Sequence, residues 1–175
     1  MQTRDVTRAS VLIALGVILP LLFHFLGIPG RVFLPMHIPA ILGGFLLKGQ
    51  MGFLVGFMLP PLNFLVSGMP PFPVFLSMMV ELGAYGLTGS LLFQVLQWGI
   101  VPSLLGAMLV GRGIAILGNW VLFSVLGKEF NVFSLLQSLF VTALPGILIQ
   151  IVLIPLLVAL ILRWEKGVAR SQDLL

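Results

Sequence analysis

The amino-acid sequence predicts an all-α integral membrane protein, a bundle of six transmembrane helices with both termini in the cytoplasm. Of the 175 residues, 59% are hydrophobic and only 8% are charged, whereas a soluble domain carries about 25% charged residues. The apolar residues form successive runs, and in a bilayer such side chains face lipid while each helix satisfies its own backbone hydrogen bonds. We expect one domain, residues 1–175.

The first two spans differ in length. Span one covers residues 7–26, and Pro20 is expected to bend it. A turn-rich segment, residues 27–31, follows. Span two begins at Pro35 or His37 and ends near Lys48. It is short against the roughly 20 residues that cross a bilayer, so we expect it to be tilted or to be extended by the segment before it.

The third span covers residues 50–66 and is expected to break at its Pro60-Pro61 pair, because proline lacks the N–H that a helix interior needs. The proline-rich residues 67–73 cannot continue as a helix. The last three spans are longer apolar runs, with a short polar connection predicted at residues 127–134 between the last two. These spans cover residues 74–96, 100–126 and 135–162.

Basic residues near the span ends are distributed unequally. One side carries Arg4, Arg8, Lys48, Arg163, Lys166 and Arg170, and the other carries Arg31 and Lys128. Because positive charge accumulates in cytoplasmic loops, both termini are predicted to lie inside. The proline- and glycine-rich connections 27–35 and 67–73 then lie outside, either as a lid or binding loops or as plain connections.

Several classes of function lack support in the sequence. The chain has no cysteine, which excludes disulfides and thiolate metal sites. It carries no phosphate-binding loop and no His-Glu-x-x-His zinc motif, nor a Gly-x-Ser-x-Gly nucleophile motif. The net charge of +4 comes largely from the span ends, so no nucleic-acid partner is expected. We predict no catalytic residue, no metal and no cofactor, and therefore no enzyme.

Two charged residues lie in the interior of predicted spans, away from the span ends. Arg112 is near the middle of span five, where a charge costs at least about 2.5 to 3.5 kcal/mol unless it is paired or hydrated. Glu81 is the only acid in the interior of a span. We expect the two to pair. The pair either only neutralises itself and holds the bundle together, or it faces a substrate cavity.

The neighbours of this pair suggest a cavity. On span four, Met78, Glu81, Tyr85 and Thr88 share one helical face, and on span five Arg112 and Asn119 share another. Each polar residue taken alone is typical of packing, but an apolar cavity with a few convergent polar groups is typical of a small-molecule site. The candidate substrate-binding residues are His37, Asn63, Glu81, Tyr85, Arg112, Asn119, Trp120 and Gln150.

Small residues at four-residue spacing predict close helix contacts. Gly52 and Gly56 form such a pair in span three, and Ser10 and Ala14 form another in span one. For Ser10 and Ala14 two interpretations stay open, internal packing and a docking surface for another membrane subunit. A chain with few interior charges and no ATP-binding motif is more typical of a binder than of a self-powered pump.

The chain resembles a known family in several segments. These are its short basic N-terminus running into residues 7–14, the segment Phe-Leu-Pro-Met-His-Ile-Pro-Ala-Ile-Leu-Gly-Gly-Phe at residues 33–45, the glycines of residues 52–56 and the proline-rich turn before span four. With its size and six spans, it is similar to the substrate-binding S components of energy-coupling factor (ECF) vitamin transporters. The resemblance covers nearly the whole chain.

The resemblance implies a six-helix bundle in the bacterial cytoplasmic membrane that captures a vitamin in an outward-facing pocket. It also implies docking on a transmembrane coupling subunit driven by two cytoplasmic ATPases, followed by toppling of the bundle in the membrane. Family members carry an Ala-x-x-x-Ala pattern on span one, and the matching register here reads Ser10 to Ala14. Family pockets draw on the first outer loop and on spans four to six.

The expected function is therefore vitamin or micronutrient capture for an ATP-driven coupling module. Arg112 would meet an anionic or carbonyl group, Glu81 would pair with it or accept from the ligand, and Tyr85 and Trp120 would stack on an apolar or ring portion. A carboxylated vitamin such as pantothenate or lipoate, or a ring-bearing one such as riboflavin, suits these groups. The alternatives are a self-sufficient small secondary transporter or channel, and a membrane enzyme or structural subunit.

Overall fold

The computed structural model describes residues 3–172, except for the side chains of Lys166 and residues 168–172. The predicted basic side chains of Lys166 and Arg170 lie outside this description. The described chain is helical, without a strand, and π-helical turns at Leu91–Val95 and Gln137–Thr142 extend two of its helices. The helices are α1 Thr3–Phe25, α2 Gly30–Phe33, α3 His37–Leu46, α4 Gly49–Ser67, α5 Val74–Ser90, α6 Ile100–Val125, α7 Val132–Leu136 and α8 Leu144–Gln172.

The predicted all-α membrane bundle is confirmed. Within the described residues, five helices are long and apolar enough to cross a bilayer: α1, α4, α5 with its π-helical extension, α6 and α8. Two further apolar helical segments, Gly30–Leu46 and Val132–Thr142, are shorter than these five helices. The predicted second span corresponds to the first of these segments.

The segment Gly30–Leu46 runs along α1 in the opposite direction. At its start, the ring of Phe33 packs edge-on against that of Phe23 near the end of α1, with 6.0 Å between centroids. At its end, the Leu46 carbonyl accepts a hydrogen bond of 3.2 Å from Arg8, near the start of α1. The segment therefore extends along most of the length of α1 despite its shortness. Six membrane crossings stay a prediction.

The buried end of α3 has its carbonyl groups satisfied by side chains. A helix leaves its last four C=O groups without partners of its own, and buried backbone carbonyls need a hydrogen-bond donor. The amide nitrogen of Gln94 lies 2.6 to 3.3 Å from three of these oxygens, and a guanidinium nitrogen of Arg8 reaches the fourth. The accepting carbonyls belong to Gly44, Phe45, Leu47 and, for Arg8, Leu46.

Gln94→Leu is expected to lower the free energy of unfolding by about 1 to 3 kcal/mol, because it strands buried carbonyls without a donor. The measurement is the thermal unfolding midpoint of the protein in detergent. Gln137→Leu is the matched control, since Gln137 is exposed and no carbonyl depends on it among the described contacts. Equal midpoints for the two variants would contradict the capping role.

The predicted break at Pro60-Pro61 is wrong, because α4 continues from Gly49 to Ser67. A proline removes a single backbone hydrogen bond, and packing by neighbouring helices compensates for that loss in a membrane protein. One turn after Pro60, the side-chain amide of Asn63 donates to the carbonyls of Leu59 and Gly16, both at 2.9 Å. The bond to Gly16 ties α4 to α1 directly after the prolines.

The predicted polar connection at residues 127–134 is too long. Helix α7 begins at Val132, because the side chain of Asn131 caps it by accepting a 3.0 Å hydrogen bond from the Ser134 backbone N–H. The predicted last span is in turn divided into α7, the π-helical turn and α8, and α8 continues to Gln172.

Helix α5 is the centre of the bundle and packs against α3, α4 and α6. The predicted glycine pair of α4 provides its closest contact. A Cβ added at Gly56 would collide with the Leu82 carbonyl of α5, and one added at Gly86 would collide with the Gly52 carbonyl of α4. The two backbones therefore touch, which places Glu81 and Tyr85 of α5 in the core.

The start of α1 and the end of α8 lie at the same end of the bundle. The carboxylate of Glu165 on α8 pairs with Arg4 at 3.0 Å and also with Arg8. A chain that crosses the membrane an even number of times has both of its ends on the same side. The assignment of that side to the cytoplasm stays a prediction from the distribution of basic residues.

Candidate functional site

Four of the predicted site residues meet in the core. His37 is the first residue of α3, Glu81 and Tyr85 lie one turn apart on α5, and Arg112 lies on α6. Their exposed fractions are only 1 to 4%. We call these four residues the core cluster. It exists because α3 and α6 both pack against α5.

Glu81 is the hub of the core cluster. Its Oε1 accepts hydrogen bonds of 3.0 Å from Arg112 Nη1 and of 3.0 Å from the Tyr85 hydroxyl. His37 Nε2 lies 3.6 Å from the same oxygen. The predicted pairing of Glu81 with Arg112 is thus confirmed. Two hydrogen-bond donors, one of them the charged guanidinium of Arg112, therefore bind one carboxylate, which explains how an acid is accommodated in a membrane core.

The Tyr85 ring is held between α6 and α3. A Cβ added at Gly111 would collide with this ring, so only glycine leaves room for it there. On the α3 side, the His37 ring lies 5.6 Å from the Tyr85 ring at an angle of 56°. Gly111 was not among the predicted site residues. Its position directly before a charged residue within a span was the available signal.

Several buried polar atoms near these helices have no hydrogen-bond partner among the described residues. They are His37 Nδ1 and Nε2, Arg112 Nε, Gln150 Nε2 and Ser103 Oγ. Buried polar atoms without partners are rare, and each one calls for an explanation. Gln150 is 1% exposed and lies on α8, which packs against both α3 and α6. Free hydrogen-bonding capacity is therefore present on three of the helices that bear predicted site residues.

The structure does not bring the remaining predicted residues into the core cluster. Asn63 is buried and bonds to backbone carbonyls of α1 and α4. Asn119 is buried and donates to the Ala115 carbonyl of its own helix at 2.8 Å. Trp120 is 55% exposed. Because adjacent residues of a helix point about 100° apart, Asn119 faces inward and Trp120 faces outward.

Two open, apolar grooves lie on the outside of the bundle. The larger has a volume of about 460 Å³ and lies between α5 and α6, where it is lined by Leu76, Ser77, Val80, Leu117, Gly118 and Val121 among others. The smaller, of about 390 Å³, lies along α8. Neither groove is lined by a residue of the core cluster. A ligand reaches these four residues only if the helices around them move apart.

Comparison with known proteins gave one match. The model of a family described as "ECF transporter, substrate-specific component" matches residues 4–161. No curated protein and no solved structure matches the chain. The matched range contains every predicted site residue, as well as Ser10 and Ala14.

Proposed function

The chain belongs to the family of substrate-specific components of ECF transporters, and on this basis we propose that it captures a vitamin or related micronutrient outside a bacterial cell. It then delivers this substrate through a transmembrane coupling subunit driven by two cytoplasmic ATPases. The family match over residues 4–161 carries the proposal, since it makes the chain a substrate-binding membrane subunit. The identity of the cargo and of its partners goes beyond that match.

The core cluster is the proposed ligand site. Glu81 lies seven residues into α5, about 10 Å from its start at 1.5 Å per residue. With the predicted orientation, that start faces outside, so the site lies in the outer half of the membrane. His37 directly follows the segment that joins α1 to α3, and a shift of this segment would open the site. The unpartnered Nδ1 of His37, Nε of Arg112 and Nε2 of Gln150 would bind the ligand.

Gln150→Leu is expected to reduce ligand binding roughly tenfold, the effect of one hydrogen bond of about 1 kcal/mol or slightly more. Folding stability should not fall, because the amide nitrogen of Gln150 has no described partner to lose. The measurement is mass spectrometry of the small molecule that stays bound through purification, combined with the unfolding midpoint.

Ser103→Ala is the matched control. Ser103 is also fully buried with an unpartnered hydroxyl, but it lies on α6 more than two turns before Arg112. This variant should retain the ligand as the wild type does. If Gln150→Leu retained the ligand to the same extent, Gln150 would be excluded from the site.

Docking of the coupling subunit on α1 is the second part of the proposal. Ser10 and Ala14 are exposed on this helix, whereas Ala9, Leu12 and Gly16 face the bundle. The hydroxyl of Ser10 bonds only within its own helix, to the Val6 carbonyl at 3.0 Å. Their exposure supports the docking interpretation over internal packing, because small exposed residues let another helix approach closely.

A further inference from the structure

We infer that the ligand of the core cluster is electrically neutral in the part that meets Glu81 and Arg112, and that it presents both a hydrogen-bond donor and an acceptor there. Amides, lactams and oxo-substituted nitrogen heterocycles have this chemistry, and carboxylates do not. The inference rests on the proposed function, since it takes the core cluster as the ligand site.

The charges of the core cluster are already balanced without a ligand. Among the described residues, the buried side chains that can carry a charge are the four of the core cluster. Arg112 and Glu81 are 3.0 Å apart and neutralise each other. A ligand carboxylate would leave this desolvated site with an excess negative charge. Burying a charge without a counter-charge is costly.

Among the described buried residues, His37 is the only other side chain that could supply a positive charge. A protonated imidazole donates from both nitrogens. Its Nε2 lies 3.6 Å from Glu81 Oε1, beyond hydrogen-bond distance, and Nδ1 has no acceptor among the described residues. Arg112 also approaches the same carboxylate oxygen and repels a second cation. Neutral His37 fits these surroundings, so it does not compensate for an anionic ligand.

The unpartnered groups of His37, Arg112 and Gln150 include both hydrogen-bond donors and an acceptor. Arg112 Nε and Gln150 Nε2 are donors. Neutral His37 carries one donor nitrogen and one acceptor nitrogen, and neither has a partner among the described residues. A neutral ligand with an adjacent carbonyl and N–H can bind both the unpartnered donors and the unpartnered acceptor without adding charge. Of the two ligand classes that the sequence allowed, the ring-bearing class fits these groups and the carboxylated class does not.

The first experiment uses yeast extract as a source of micronutrients. The extract is separated at pH 7 into an anion-exchanger fraction, a cation-exchanger fraction and the neutral flow-through. Each is then tested for its effect on the unfolding midpoint of the purified protein. We expect stabilisation by the neutral fraction. Stabilisation by the anionic fraction alone would overturn the inference and leave the proposed function intact. Stabilisation by no fraction would count against the proposed function itself.

The second experiment tests the charge balance of the core cluster even if no fraction of the extract stabilises the protein. Acetate and acetamide have the same shape and differ in charge. We expect the wild type to have the same unfolding midpoint in acetate as in an equal concentration of chloride. In Glu81→Gln, where Arg112 has lost its counter-charge, acetate should raise the midpoint and acetamide should not. Stabilisation of the wild type by acetate, or no response of a folded Glu81→Gln variant, would overturn the inference. The wild-type comparison needs no variant to fold.

Discussion

Arg112→Gln and Glu81→Gln are each expected to lower the free energy of unfolding by about 3 to 5 kcal/mol, because each leaves the other charge buried without its partner. The double variant is expected to recover most of this loss, since two glutamines can hydrogen-bond to each other without any buried charge. The basis is the 3.0 Å contact between two side chains that are at most 5% exposed.

The measurement is a double-mutant cycle of unfolding midpoints in detergent. Arg31→Gln is the matched control, because Arg31 is exposed on α2 and should tolerate the same change with little effect. Simple addition of the two single losses would contradict the pairing.

The cycle also separates the two roles that the sequence left open. If the pair only holds the bundle together, the double variant folds and still retains the ligand. If the pair belongs to the site, the double variant folds without the ligand.

Ser10→Trp and Ala14→Trp are expected to abolish recovery of the coupling subunit and the two ATPases with the purified protein. A bulky ring on this face prevents the close approach that small residues permit. Folding and ligand retention should be unchanged, since both residues are exposed and lie on a different helix from each residue of the core cluster. The measurement is affinity purification from cells that express all four proteins.

Leu22→Trp is the control on the same helix. Leu22 is 50% exposed, more than two turns beyond Ala14, so the added ring faces lipid away from the proposed docking surface. This variant should recover the partners as the wild type does. If Ser10→Trp and Ala14→Trp also recovered them, the small residues of α1 would not form the docking surface.

The sequence was sufficient to predict those features of the structure that the bilayer itself constrains. Long apolar runs can only be helices in lipid, so their positions follow from hydropathy. Arg112 and Glu81 stood out because charges inside spans are expensive and therefore paired. The close helix contact at the glycine pair of α4 could also be predicted, because residues without side chains let two helices in a membrane approach each other.

Contacts between distant segments could not be predicted. Gln94 appears in the sequence as an ordinary polar residue at a span end, yet it caps carbonyls about 50 residues earlier in the chain. The position of His37 beside Glu81 depends on how the short α3 lies against α5, which no local pattern specifies. The seven-residue spacing from Arg112 already placed Asn119 on the inward face of its helix, and Trp120, about 100° further around the helix, faces outward.

The most direct test of the central claim is transport by purified protein in liposomes. The small molecule identified by mass spectrometry serves as the labelled substrate. With the coupling subunit and ATPases reconstituted beside the chain, uptake should require ATP and should be absent for Ala14→Trp. The chain alone should bind the substrate without moving it. Movement of the substrate by the chain alone, down an ion gradient and without ATP, would contradict the account.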